Sequence, residues 1–292
     1  MSRRRIAGLA LALILAAAAL SAAAGDRHPL AVKAEESFFA AFNHDPRAKA
    51  APLRDLWTAA LADPSDGRTW LFLGLDHLWI AAEGDKTNPL TVEHLVLAER
   101  FLTRAQELRP TDGRIPSWLV PVRMSLAGLT NTKGDRKAEK DRILRGLLDA
   151  YAKDPTFHSF VIALLGFDAG RETPEFQRGL VALQSAHGGC VGSADPTCAN
   201  RPRWPHNQEA YVTFEADYEL KAGHTARARE LLLGVQRIPS YPQWPFRSET
   251  EDRLHNLDAY AALYADADPG NDPPHLMASS QGLVCQRCHL GP

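Results

Sequence analysis

The sequence predicts an all-α protein built of tandem antiparallel helical hairpins, and three observations predict it. Ala, Leu, Glu and Arg dominate, and runs of alternating β-branched residues are absent. Pro and Gly punctuate the chain at intervals of one helix or one hairpin. A short pattern also recurs: Leu56-x-x-Ala59-x4-Pro64, then Leu102-x-x-Ala105-x4-Pro110, then Leu147-x-x-Ala150-x4-Pro155, with the prolines 46 and 45 residues apart. Leu and Ala three apart share one helix face. The small Ala lets a neighbouring helix approach, and Pro cannot continue the helix that precedes it.

The other elements follow in order. Trp70-x-x-Leu73-Gly74 offers a bulky–bulky–small face suited to receiving the helix before it. An insertion around 83–89 lengthens one hairpin. The stretch 188–207 carries no repeat. Phe214, Ala216, Gly223, Ala228, Leu232, Val235 and Pro239 form a looser copy, with Gly223-His224 as the turn between two helices of about 12 residues. Pro202-Arg203-Trp204-Pro205 is echoed by Pro242-Gln243-Trp244-Pro245, each just before a helical stretch. Ser248 and Glu251 have the spacing of a capping box that opens a last long helix, to about Tyr264. A polar, Pro-containing linker spans 266–274, and a tail spans 275–292.

These residues resemble the tetratricopeptide repeat family. It alternates such helices, with Trp-x-x-Leu-Gly early in the first and Ala-x4-Pro at the end of the second. The resemblance covers about half of the mature chain and implies a short α-solenoid over 25–265. The period here, 45 to 46 residues, departs from the family's usual period of about 34.

The N-terminus reads as a secretory signal peptide over 1–24. Arg3, Arg4 and Arg5 precede an apolar run from Ile6 to Leu20, and Ala22-Ala23-Ala24 fits a cleavage site before Gly25. The apolar run is short for a spanning helix. No other segment is long and apolar enough to span, so no membrane span is expected in the mature chain. Cleavage leaves 268 of the 292 residues, enough for a sizeable core. The formal charge of −2 becomes −5 once three Arg are removed. That balance leaves no basic footprint for nucleic acid. Export, to the periplasm or otherwise out of the cell interior, is expected to place the four cysteines in an oxidising compartment, where thiols pair or are chemically committed.

Near the end stands Cys285-Gln286-Arg287-Cys288-His289. At this content of Cys and His, roughly 0.002 chance matches to Cys-x-x-Cys-His are expected, so coincidence is a poor explanation. This is the c-type haem attachment pattern. Two thiols three apart on one helical turn can add to the two vinyl groups of haem. The adjacent His then lies under the macrocycle as proximal iron ligand. That assigns one covalent haem c to Cys285 and Cys288, with His289 on the iron. It leaves Cys190 and Cys198 as an even pair, read as a disulfide closing a short loop within 188–207. Three other chemistries compete for the terminal cysteines: a structural disulfide, a redox dithiol, and a zinc site using all four thiols.

The tail also resembles the opening of a cytochrome c domain, in which a distal Met follows several dozen residues later. Only Leu290, Gly291 and Pro292 follow here, so the rest of that domain is not expected. A distal ligand would come from upstream, with Met277 and His275 nearest in sequence, or from another chain, or be absent. Packing is the competing role for Met277. Haem exposes more apolar area than the tail can cover, which makes Trp204, Trp244 and Phe246 candidate wall residues.

Asp76-His77 and Glu93-His94 flank the 83–89 insertion. Acid–imidazole neighbours can mark a metal site, but adjacent helix residues do not face each other, and a solvated or structural role is the reading. No phosphate-binding Gly loop, nucleophile elbow or His-Glu-x-x-His motif is present. The chain reads as an exported electron carrier with a redox or scaffold protein partner, rather than an enzyme. The alternatives are a periplasmic interaction scaffold with a terminal disulfide, and an open-site haem protein that binds a small ligand.

Overall fold

The computed structural model describes residues 27–44, 48–84, 88–130, 133–153, 155–190, 207–266, 268, 270–279, 282–283 and 287. The signal peptide assigned to 1–24 lies outside them. The fold is all-α. Twelve helices stand among the described residues: α1 (Pro29–His44), α2 (Ala51–Ala62), α3 (Gly67–Ala82), α4 (Pro89–Leu108), α5 (Ile115–Thr130), α6 (Lys133–Lys153), α7 (Pro155–Gly166), α8 (Pro174–Cys190), α9 (Gln208–Lys221), α10 (Thr225–Val235), α11 (Arg247–His255) and α12 (Leu257–Ala265). Two short strands, β1 (Ala278–Ser279) and β2 (Gly282–Leu283), pair antiparallel.

Local chemistry sets the helix starts. The side chains of Asp66, Asn88 and Asn207 accept from Arg68 N, Leu90 N and Ala210 N at 2.9, 3.0 and 2.8 Å. Each satisfies one of the amides left unpaired at a helix N-terminus. Gly223, at φ 88°, makes the turn between α9 and α10, where a side chain would be strained. Those two helices have 14 and 11 residues, close to the lengths expected.

The recurring Leu and Ala positions all face inward: Leu56, Ala59, Leu102, Ala105, Leu147 and Ala150 are buried. α2 and α4 end just before Pro64 and Pro110. Pro155 instead opens α7, at a position where its missing N–H is no loss. Gly74 corrects one expectation. A Cβ there would lie 2.7 Å from Leu102 Cγ, so the glycine receives α4, the helix that follows, while Trp70 and Leu73 meet Trp57, Leu56 and Ala59 of the helix before.

The expected last long helix is two helices, broken at Asn256. Its capping box does not form. α11 begins two residues before the start that a Ser248 cap would give, with Phe246 at the N-cap and no side-chain cap bond.

The principal helix contacts join elements one or two places apart in the chain, with α9 against α12 as the longer-range addition. Four hydrophobic clusters accordingly follow one another among the described residues: around Phe38 and Trp79, around Leu102 and Ile115, around Ile143 and Leu147, and around Phe214 and Tyr218. α9 is the centre of the last. Nearly every residue of it is buried, including Glu209, Glu215, Asp217, Glu219 and Lys221.

Candidate haem-attachment site

The route from α12 to the Cys-x-x-Cys-His segment is strapped to α9 and α11. Lys221 Nζ lies 3.0 Å from Asp272 Oδ2. The Tyr264 hydroxyl donates to Pro273 O at 2.9 Å. Arg253 Nη2 donates to Pro274 O at 3.2 Å. Leu276 N donates to Asp217 Oδ2 at 2.7 Å. The stretch with linker composition is therefore held at successive residues by buried groups.

Asp217 and Arg253 are the hub of this strap. The guanidinium grips the carboxylate through Nε at 2.6 Å and Nη2 at 3.0 Å, and both side chains are about 4% exposed. Burial works against the Arg253 charge. The Asp217 carboxylate outweighs that penalty and holds the guanidinium above its ordinary pKa.

His275 and Met277, the tail residues with ligand chemistry, lie in the core beside this hub. The His275 ring centre is 4.6 Å from that of Phe167 and 5.3 Å from that of Phe214. Its Nδ1 accepts from Met277 N at 3.2 Å. Burial pushes the imidazole below its ordinary pKa, partly offset by Asp217 and Asp168.

Of the five motif residues, Arg287 lies within the described chain, and it is helical. Its Nη1 donates to the carbonyls of Leu276 and Ala278, the latter at 2.9 Å. Its Nη2 lies 2.6 Å from Glu249 Oε1 on α11. Its own carbonyl accepts from Asn207 Nδ2 at 3.0 Å and from Trp244 Nε1 at 3.2 Å. Glu249 Oε2 continues to Arg253 Nη1 at 3.2 Å. Arg287, Glu249, Arg253, Asp217 and Leu276 thus form a closed circuit of charge-assisted hydrogen bonds, the strong class of such bonds.

Trp244 is 1% exposed and packs against Tyr241 and Phe246. It forms the floor beneath Arg287 rather than an open wall. Phe246 is half-buried. Cys285, Cys288, His289, Cys198 and Trp204 lie outside the described residues. Cys190 is the last residue of α8.

The two acid–His pairs come out differently. His77 on α3 and His94 on α4 meet, Nδ1 to Nδ1 at 2.8 Å, so one must donate to the other. Burial, helped by the charge of His94, pulls His77 down to about 4. Asp76 is fully buried, neither carboxyl oxygen has a hydrogen-bond partner among the described residues, and burial pushes it up to about 8. Among the described residues no group of three or more His, Cys, Asp and Glu is arranged to hold a metal ion.

Sequence reasoning missed Asn207, Asp217, Glu249 and Arg253. Asn207 is visible in the sequence as a helix cap, but its second bond to the tail is not. The other three pair with residues far away in the chain. Arg287 stands at a position where the haem pattern accepts any residue.

No protein-family model, curated protein or solved structure matches the chain. No helix among the described residues is long and apolar enough to cross a membrane.

Proposed function

We propose that this is an exported, tetratricopeptide-like helical-repeat protein that carries one covalent haem c and exchanges electrons with a protein partner. Cys285 and Cys288 bind the haem, and His289 is the proximal iron ligand. A bound haem supplies one-electron redox chemistry, while the protein sets orientation, exposure and partner choice.

The observation that carries the reading is the pairing of the motif with its foundation. Cys-x-x-Cys-His has the residue types covalent haem needs, and Arg287 within it is tied to Asn207, Trp244 and Glu249. A redox group on a loose tail would have no fixed distance to a partner site. A redox group on a rooted tail has one. The predominance of contacts between neighbouring helices supports the repeat-array part of the reading. His275 and Met277 are engaged in the core next to Phe167 and Phe214, which favours packing roles for both. The distal position then falls to another group or stays open to an external ligand.

The test is expression with the signal intact in a cell that has haem-maturation machinery, followed by a denaturing gel stained for haem peroxidase activity. A stained band at the mature size is expected. An unstained band, from a cell that matures a control c-type protein, would refute the reading.

A further inference from the structure

The interstitial positions of Cys-x-x-Cys-His are chemically free, yet Arg287 makes five polar contacts through its side chain and carbonyl: to Leu276, Ala278, Glu249, Asn207 and Trp244. We propose that Arg287 is a positioning residue, a latch by which the array fixes where the haem-attachment segment sits. This rests on the haem reading above.

Three observations carry it. The contacts come from separate elements: the residue before α9, the turn before α11, α11 itself, and the β1 region. Glu249, the acceptor of the guanidinium, is itself fixed by Arg253, whose other partner is the buried Asp217. One guanidinium serves two carbonyls through Nη1 and a carboxylate through Nη2, while its buried Nε has no partner among the described residues. A lysine ammonium, a point charge on a flexible stem, could not hold that set in one geometry.

Trypsin reads the latch directly, because its cleavage site is Arg287 itself. The full chain is prepared with Cys285→Ser and Cys288→Ser, so that no haem links the two sides of the cut. Release of the 288–292 peptide is followed by mass. Glu249→Ala is expected to speed that cleavage by about tenfold or more, because proteolysis tracks the population of the opened state. Glu249→Gln, which keeps the shape and removes the charge, is expected to fall between. Arg287→Lys, still a trypsin site, is expected to be cut faster than the parent. Helical circular dichroism and urea midpoint are followed in parallel, to separate opening of the tail from unfolding of the array.

In the haem-competent chain, Glu249→Ala and Arg287→Gln are expected to stain for haem as the parent does. Equal cleavage rates in the parent, Glu249→Ala and Arg287→Lys would overturn the latch. Loss of stain in a folded Arg287→Gln protein, with the parent stained, would overturn a role in positioning alone, because it would place Arg287 in the attachment step itself. An unstained parent would defeat the haem reading alone, and the cleavage series would still decide the latch.

Discussion

The Nη2 atom of Arg287 lies 2.6 Å from Oε1 of Glu249, joining the segment that bears the paired cysteines to the first turn of α11. Behind Glu249 stands Arg253, and behind Arg253 stands Asp217 on the buried central helix α9. The tail is thus continuous with the core through a chain of alternating charges. Glu249, Arg253 and Asp217 each meet an opposite charge, which is the condition under which buried charge is tolerated, while the buried Nε of Arg287 has no partner among the described residues.

Breaking that chain at its centre should be costly. Asp217→Ala leaves the buried Arg253 guanidinium without its carboxylate and the Leu276 amide without its acceptor. A loss of about 3–5 kcal/mol is expected in urea unfolding. Amide exchange at Leu276 should also rise well beyond the global change in stability. If Asp217→Ala unfolds at the parent's urea concentration, the buried pair is not the tie described here.

Gly74 tests the packing of the repeat. A Cβ at this position would sit 2.7 Å from Leu102 Cγ and 3.0 Å from the Leu102 backbone N. Gly74→Ala should cost about 1–3 kcal/mol through overpacking. Combined with Leu102→Ala, it should cost less than the sum of the single changes. Gly128 in α5 is the control, since a Cβ there meets nothing within 4 Å. Gly128→Ala should be neutral or stabilise by up to about 1 kcal/mol.

The Asp76–His77 step on α3 sets a pH dependence with two opposing parts. Burial raises Asp76 from 3.8 to about 8. From about pH 4 to 8 the folded chain keeps a proton that the unfolded chain has lost, so stability falls with rising pH. Burial lowers His77 from 6.5 to about 4. From about pH 4 to 6.5 the unfolded chain holds a proton that the folded chain lacks, so stability rises with pH. Each slope approaches about 1.4 kcal/mol per pH unit. For these two residues the slopes nearly cancel up to pH 6.5, and the Asp76 loss remains from there to pH 8. Asp76→Asn should remove that loss and expose the rising limb below pH 6.5. Urea melts of both proteins at a series of pH values check this; parallel profiles would contradict it.

What the sequence could and could not show follows from how local each interaction is. Leu56 with Ala59, Leu102 with Ala105, and Leu147 with Ala150 were legible because helix periodicity alone puts each pair on one face, and all six are buried. Helix α9 was not. The sequence pattern gives its charges no role, but the array surrounds it, and each charge is met from elsewhere: Glu209 by Ser240, Glu215 by His187, Asp217 by Arg253, Glu219 by Gln184 and His224, Lys221 by Asp272. Periodicity marks an exposed face only where one exists. The capping box failed for a related reason. Ser248 lies inside α11, and the acid that matters in its first turn is Glu249, drawn to Arg287. The pattern behind the proposed haem site stands out in the sequence because the covalent chemistry it would serve fixes the spacing of Cys285, Cys288 and His289. The residues that root it do not, because nothing in that chemistry constrains position 287.

The central claim is covalent haem on Cys285 and Cys288, and the intact mass of the exported, denatured protein tests it most directly. The account predicts the chain from Gly25 onward plus one haem, less two hydrogens for the pair Cys190 and Cys198. A mass equal to the bare chain less four hydrogens, two disulfides and no haem, would contradict it.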